Sequence, residues 1–362
     1  MTRVATVFGT RPEIIKLSMY IEEMDKKSRD HFLIHTNQHY DYEMDAVFME
    51  ELDLRAPNFR LDVKSANQAT QMGGMISELG RIFGRISPEV VTVLGDTNST
   101  LAGAIAAKKL GIRLAHIEAG CRSFDSTMPE EQNRIVADHL ADILFAPTNT
   151  CVENLKREGL SGSSVCLVGS TLTEVCKRSL RISQGKSAFD FTRPYALMTI
   201  HRRSNIEDRS RLSAIVHAMV EVSKTIPVVF PVHPHTRKSI SQYGLGDTLR
   251  NLHTTRPLGY LDFLKALSGA EFVLTDSGGV QQEAQILNVP ILTARNCTEW
   301  VETVRSGGCI LVDADEKEIV RNAIRLVKNK AFAGKLRKTK NPYVETKVSK
   351  RIVARILQGP NS

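Results

Sequence analysis

Three carboxylates stand where proton chemistry would want them. Asp96 lies in Gly95-Asp96-Thr97-Asn98-Ser99-Thr100, Glu118 in His116-Ile117-Glu118-Ala119-Gly120, and Glu130 opens Pro129-Glu130-Glu131-Gln132-Asn133-Arg134. Each follows an apolar run or begins a helix. In open parallel sheets ligands bind beyond the carboxyl ends of the strands, so the three would converge on one rim. A positioned acid or base there contributes about 10²–10⁴-fold to a rate. An aspartate at a strand end is also a common helix cap, and the helix dipole alone favours a first-turn glutamate. A set of three at consecutive ends is harder to account for in that way. If they act on a substrate, amide replacements should spare folding, since clustered like charges are not a stability device.

Other groups suit an anion. Arg11 in Gly9-Thr10-Arg11-Pro12-Glu13 sits at a helix start, with Thr10 as cap, Pro12 in the first turn and Glu13 completing a capping box. A helix N-terminus beside an arginine is an anion site. In Thr275-Asp276-Ser277-Gly278-Gly279-Val280-Gln281-Gln282-Glu283 the glycines Gly278 and Gly279 let backbone N–H groups approach a phosphate, with Ser277 as a further donor. Glu283 is placed to reach ribose hydroxyls, and Arg295 in Arg295-Asn296-Cys297-Thr298-Glu299 adds a second positive group. His201 and His233 each follow a strand end, in Ile200-His201-Arg202-Arg203 and Pro231-Val232-His233-Pro234-His235. The absence of a P-loop lysine and of GxGxxG spacing excludes ATPase and dinucleotide-binding readings.

The elements that must carry these residues alternate along the chain. Short apolar runs at Val4–Phe8, His31–His35, Val90–Leu94, Leu114–Glu118 and Ile143–Ala146 read as strands, with helix-length amphipathic segments between them. Ile14, Leu17, Ile21 and Met24 share one helical face, and Gly111 suits the C′ position of a helix starting near Asn98. A second series comprises Ala196–Ile200, Val228–Val232, Phe272–Thr275, Ile291–Ala294 and Ile310–Val312. This predicts an α/β protein of two Rossmann-like domains. The first covers residues 1–169 and the second 170–344; a C-terminal helix over 345–362, striped by Val348, Ile352, Val353 and Ile356, would suit a crossing back to the first. The stretch Gln184–Arg193 reads as a surface loop.

The 362 residues are 42% apolar, enough for two cores. Six cysteines show neither CxxC pairing nor zinc-site spacing, so they read as reduced thiols of a cytoplasmic protein. No leader peptide or membrane span is legible. The net charge of +8 is spread along the chain, and its densest run, Lys335 to Lys340, has no interleaved aromatics, so nucleic acid is not an expected partner.

In this order, GTRPEIIK, NQHYDYEM, GDTNSTLAG, HIEAG, PEEQNR, HRRSN, PVHPHTR, TDSGGVQQE and RNCTE resemble the non-hydrolysing UDP-N-acetylglucosamine 2-epimerases, over residues from about 7 to 302. The resemblance implies a glycosyltransferase-B-like fold with a deep cleft between its two domains, a homodimer, and no metal or other cofactor. It implies interconversion of UDP-GlcNAc and UDP-ManNAc by loss of UDP, formation of 2-acetamidoglucal and re-addition of UDP. By motif, Asp96, Glu118, Glu130 and His201 become the acid–base candidates. Arg11, His233, Ser277, Gly278, Gly279 and Arg295 fall to the phosphates and Glu283 to the ribose. Lys16, Gln38, His39, Arg134 and Arg202 are possible substrate or regulatory residues.

The chain departs from the family pattern in three places. Thr298-Glu299-Trp300-Val301-Glu302 replaces TERPE, as in relatives acting on modified sugars such as UDP-2,3-diacetamido-2,3-dideoxyglucuronate. NPYVETK replaces NPYGDGK in the tail. Asp41 stands three residues after Gln38, where some bacterial members activated by substrate carry glutamine. The rival readings are a 2-epimerase of such a modified sugar, a UDP-sugar glycosyltransferase of the same fold, a hydrolysing epimerase, and a basic RNA-binding or scaffold protein. A glycosyltransferase would need an acceptor, and an RNA binder would show steep salt dependence.

Overall fold

The computed structural model describes residues 2–38, 42–63, 67–186, 190–191, 194–343 and 346–358. His39 and Asp41 lie outside them, as do parts of the 184–193 and NPYVETK segments.

The chain divides into two compact units, one of residues 1–175 with 343–362 and one of residues 176–342. In the first, strands β1 (Val4–Phe8), β2 (His31–His35), β3 (Phe59–Arg60), β4 (Val90–Leu94), β5 (Arg113–Ile117), β6 (Ile143–Ala146) and β7 (Val165–Leu167) form a parallel sheet of order β3-β2-β1-β4-β5-β6-β7. Helices α1 (Arg11–Lys27), α2 (Tyr42–Glu51), α3 (Gln68–Ile86), α4 (Asn98–Lys109), α5 (Pro129–Leu140) and α6 (Asn149–Arg157) alternate with the strands, and α7 (Thr171–Lys186) begins in this unit and belongs to the second from residue 176. Every residue of β1 and β4 is buried, because helices cover both faces of a doubly wound sheet. The apolar face of α1, Ile14, Leu17, Ile21 and Met24, is fully inside. Gly111, at φ +68°, ends α4 in the left-handed conformation a C′ residue needs.

The second unit carries β8 (Ala196–Thr199), β9 (Val228–Pro231), β10 (His253–Thr255), β11 (Phe272–Thr275), β12 (Ile291–Thr293) and β13 (Cys309–Leu311), in parallel order β10-β9-β8-β11-β12-β13. Its helices are α8 (Arg203–Ile206), α9 (Arg209–Ser223), α10 (Pro234–Gln242), α11 (Tyr260–Ser268), α12 (Gly278–Ile286), α13 (Val301–Arg305), α14 (Glu316–Lys328) and α15 (Lys330–Arg337). Both sheets reverse their winding once, between β1 and β4 and between β8 and β11. Such switch points are where open α/β sheets bind ligands.

The last helix, α16 (Val348–Leu357), belongs to the first unit and packs on α1. Val348, Ile352, Val353 and Ile356 are buried. The Glu174 carboxylate accepts the α16 N–H groups of Val348 and Ser349 at 2.7 and 3.0 Å.

Several expectations need correction. The strands β3, β7 and β10 carry no sequence signal: they are edge strands of two or three residues without a fully buried run. The β5 strand ends at Ile117, because Glu118 turns into the left-handed region at φ +68°. The expected loop from Gln184 begins instead as the last turn of α7, which runs to Lys186. No described helix is long and apolar enough to cross a membrane.

Candidate functional site

At the switch point of the first sheet the loop after β1 meets the turn after β4. Glu13 ties them together. Its Oε2 accepts the Gly9 N–H at 3.0 Å and the Thr10 hydroxyl at 2.8 Å, while Oε1 accepts the Thr97 hydroxyl at 2.8 Å. The expected capping box is therefore wrong in detail. The Thr10 hydroxyl donates to Glu13 and makes no cap bond to the helix backbone, because a fully buried carboxylate takes the nearest donors. Burial pushes the Glu13 carboxyl up from 4.5 to about 7, a rise the donors from Gly9, Thr10 and Thr97 oppose and the charge of Asp96 assists. The loop leaves no room for a side chain at Gly9, whose added Cβ would stand 1.9 Å from the Thr36 hydroxyl. Arg11 opens α1 with its guanidinium 5.7 Å from the centre of the Phe48 ring.

The carboxylates after β4 and β5 are each held by a cation. Glu118 binds Lys16 at 2.7 Å, with the two side chains 4% and 11% exposed, and its other oxygen, Oε1, is buried without a hydrogen-bond partner among the described residues. Burial draws the Lys16 ammonium down, and the charge and hydrogen bond of Glu118 outweigh it, leaving the group above its ordinary value. Asp96 binds Arg134, which also grips Glu131. Asp96 is not a helix cap: the Thr97 hydroxyl caps α4. Glu131 in turn accepts the N–H groups of Ser123 and Phe124 at 3.0 and 2.9 Å. Glu130, one residue earlier in α5, is exposed and outside this network.

A second layer positions these groups. His116 on β5 joins Asp138 at 2.7 Å and the Gly95 carbonyl at 2.8 Å, and Asp138 also accepts the Gly120 N–H at 3.0 Å. Burial would raise the Asp138 carboxyl, but His116 and Arg122 hold it below its ordinary value. Gln38 uses its side-chain oxygen to accept the Ser99 N–H and hydroxyl at 2.9 and 2.8 Å, so its carboxamide helps seat the start of α4. His39 lies outside the described residues.

At the second switch point, the β8–α8 and β11–α12 loops adjoin. Ser277 caps α12 by accepting the Val280 N–H, with Gly278 and Gly279 in the first turn. Glycine is required at 278, where an added Cβ would lie 2.4 Å from Glu299 Oε1 and 2.9 Å from Trp300 Nε1. Glu299 cannot swing aside, since Arg202 and Arg295 hold it at 3.1 and 2.8 Å. Much of the positive charge expected of Arg295 is thus already engaged. The His201 and His233 rings lie 5.9 Å apart, and His233 caps α10. Glu283 is buried on α12, and burial first and the charge of that carboxylate second hold the Tyr260 phenol well above 10.0.

Glu13, Glu131, Asp138, Asp276 and Glu299 were not singled out as site residues from the sequence. Glu131 pairs with Arg134 and Glu299 with Arg295 at helical spacing, and Asp276 precedes Ser277. Asp138 is tied to His116 and Arg122, and Glu13 to Thr97, by contacts distant in the chain that no spacing rule exposes.

The family model described as UDP-N-acetylglucosamine 2-epimerase matches residues 22–357. A UDP-N-acetylglucosamine 2-epimerase from Methanocaldococcus jannaschii is 40% identical over 369 residues, covering 99% of each chain. A UDP-2,3-diacetamido-2,3-dideoxy-D-glucuronate 2-epimerase from Pseudomonas aeruginosa is 38% identical over 325 residues, 89% of this chain and 91% of its own. The crystal structure of the M. jannaschii UDP-GlcNAc 2-epimerase with UDP-GlcNAc and UDP superposes with TM-score 0.92 at 40% identity, covering 99% of this chain and 100% of that one.

Proposed function

This chain belongs to the UDP-N-acetylglucosamine 2-epimerase family and is a UDP-sugar 2-epimerase of the non-hydrolysing kind, and from that premise we propose the roles of its residues. The C2 hydrogen of the sugar is not adjacent to a carbonyl, so its removal must accompany departure of the leaving group. A base takes the C2 proton, the electron pair forms the C1–C2 double bond, and UDP leaves with the C1–O bond pair. Protonation at C2 from the other face and return of UDP to C1 complete the epimerisation. The site must bind the separating diphosphate more strongly in the transition state than in the ground state.

In this reading Asp96, Glu118, Glu130 and His201 handle protons. Arg11, His233, Arg295 and the Ser277–Gly279 turn meet the diphosphate, and Glu283 the ribose. Lys16, Arg134 and Arg202 orient their carboxylate partners. The supporting observation is the pair of anchored carboxylates, Glu118 on Lys16 and Asp96 on Arg134, at neighbouring strand ends of one switch point. We propose UDP-GlcNAc as substrate. Incubation with it alone in D2O should yield UDP-ManNAc carrying deuterium at C2. Product without deuterium, or release of free sugar and UDP, would overturn the reading.

The modified-sugar reading is favoured by one feature, Trp300, which is 4% exposed and packs against Gly278 in the segment shared with such relatives. Proton NMR of turnover with the diacetamido-uronate analogue distinguishes it. We also propose a cytoplasmic homodimer: Phe124, 70% exposed, with Ile135 and Val136 on α5, offers apolar surface for a second copy. Sedimentation of a monomer at micromolar concentration would remove that proposal.

A further inference from the structure

The buried Asp276 has no role in the assignments above, yet it is among the most heavily engaged carboxylates of the second unit. It directly follows β11 and is fully buried. It leaves the capping of α12 to Ser277. Instead its oxygens accept the His201 N–H at 3.1 and 3.2 Å, the Arg202 N–H at 3.0 Å and the Asn205 side-chain N–H at 3.0 Å. The His201 Nδ1 stands 3.8 Å from Oδ1. Asn205 is itself fixed. Its amide also donates to the Ala294 carbonyl at 3.0 Å, and its oxygen accepts Arg211 Nε at 3.0 Å, while Arg211 pairs with Asp313. One connected network thus joins the loops after β8, β11 and β12 around the histidine.

Among the described residues no lysine or arginine pairs with Asp276. A buried carboxylate held only by neutral donors and a histidine is a costly way to anchor a loop, since its desolvation is not offset by a full opposite charge. What it supplies beyond anchoring is a fixed negative charge beside the His201 ring and a fixed backbone from which that ring projects. The ring also faces His233, 5.9 Å away between centroids.

We propose that Asp276 is a positioning residue for the epimerisation, acting through His201 to hold the imidazole and its charge where the sugar nucleotide reacts. The proposal rests on the reading of His201 as an acid–base group. In the ground state Asp276 touches the loop rather than the substrate, so its effect falls on turnover and not on UDP affinity.

A double-mutant cycle on the full-length enzyme tests this, with turnover of UDP-GlcNAc followed by proton NMR and UDP affinity by calorimetry. Asp276→Asn should lower kcat at least tenfold and leave the UDP Kd within threefold. In an Asp276→Asn/His201→Asn double variant the loss should equal that of His201→Asn alone, because residues acting as one unit are not additive. Full kcat in Asp276→Asn overturns the proposal, and so does a loss that multiplies on top of His201→Asn. If Asp276→Asn fails to fold, Asn205→Ala enters the same cycle. It keeps the carboxylate and removes one of the donors that hold Oδ2, so kcat should fall at least threefold on the native background and not on the His201→Asn background. Unchanged kcat there overturns the proposal equally. If His201→Asn alone keeps full turnover, the acid–base reading of His201 fails first, and that result is distinct from either outcome for Asp276.

Discussion

Single side chains at the first switch point differ in how much stability rests on them, and the structure revises what the sequence led one to expect. Amide replacements at Asp96, Glu118 and Glu130 should all lower turnover at least about a hundredfold, the scale of a positioned acid or base. They should not all spare folding. Glu118→Gln takes a charged partner from the Lys16 ammonium, which is only 11% exposed, and breaking a buried pair costs about 3–5 kcal/mol. Asp96→Asn leaves Arg134 with Glu131 and should cost less, and Glu130→Gln, on an exposed residue, should leave the melting temperature near native. Equal melting points for the three variants would refute this ranking. Glu13 gives a pH signature. Its carboxyl titrates near 7 in the fold against 4.5 ordinarily, so the folded state keeps a proton that the unfolded chain has released between those values. Stability is therefore complete below about pH 4.5 and falls as pH rises through 7, by at most about 3 kcal/mol at 1.36 kcal/mol per unit. Glu13→Gln mimics the protonated form, so its melting temperature should fall less between pH 5 and pH 8 than that of the native protein. Parallel slopes would mean that the hydroxyl donors keep Glu13 ionised in the fold.

Among the elements, the turn into α12 is the most constrained. It combines a capped helix N-terminus with a close approach of the Glu299–Trp300 segment. Gly278→Ala drives a methyl against a carboxylate clamped by two arginines. Overpacking of this kind costs about 1–3 kcal/mol, and the turn must shift to accommodate it. A lower melting temperature and at least tenfold weaker UDP binding by calorimetry are expected. Gly279→Ala is the control, because an added Cβ there meets only Ser277 Oγ, at 3.9 Å. Equal losses at 278 and 279 would show that backbone freedom, rather than the packing of Glu299, matters at this turn.

For the whole molecule, the first unit is assembled from both ends of the chain. Tyr343, Val348, Ile352, Val353 and Ile356 are buried in it. Burying one such side chain is worth about 1.5–3 kcal/mol, so together they rival the whole stability of a domain, about 5–15 kcal/mol. Deleting residues 343–362 should leave the first unit unfolded while the second keeps its core. Hydrogen exchange read by mass spectrometry should then show β1, β4 and β5 peptides unprotected and β8, β9 and β11 peptides protected. Protection of the β1 peptides in the truncated chain would show that α16 is dispensable.

Much of the architecture was written locally. The runs Val4–Phe8, His31–His35, Val90–Leu94 and Phe272–Thr275 are strands to the residue, because a parallel strand covered on both faces is mostly apolar and lacks the alternation of a half-exposed one. The helix starts at Pro129 and after Ser277, and the glycine stop at 111, follow from backbone and capping chemistry that a few neighbouring residues settle. The edge strands β3, β7 and β10 escaped because a short strand with one unpaired side needs no such run. The order of the strands, and with it the two switch points, was likewise not local information. Nor were the partners of the charged residues. That Lys16 meets Glu118, that Arg134 reaches Asp96, and that Asp276 holds the His201 loop are contacts between residues far apart in sequence. Sequence spacing sets which side chains share a helix face or follow a strand; only the packing of one βα unit on the next decides which charge is buried against which.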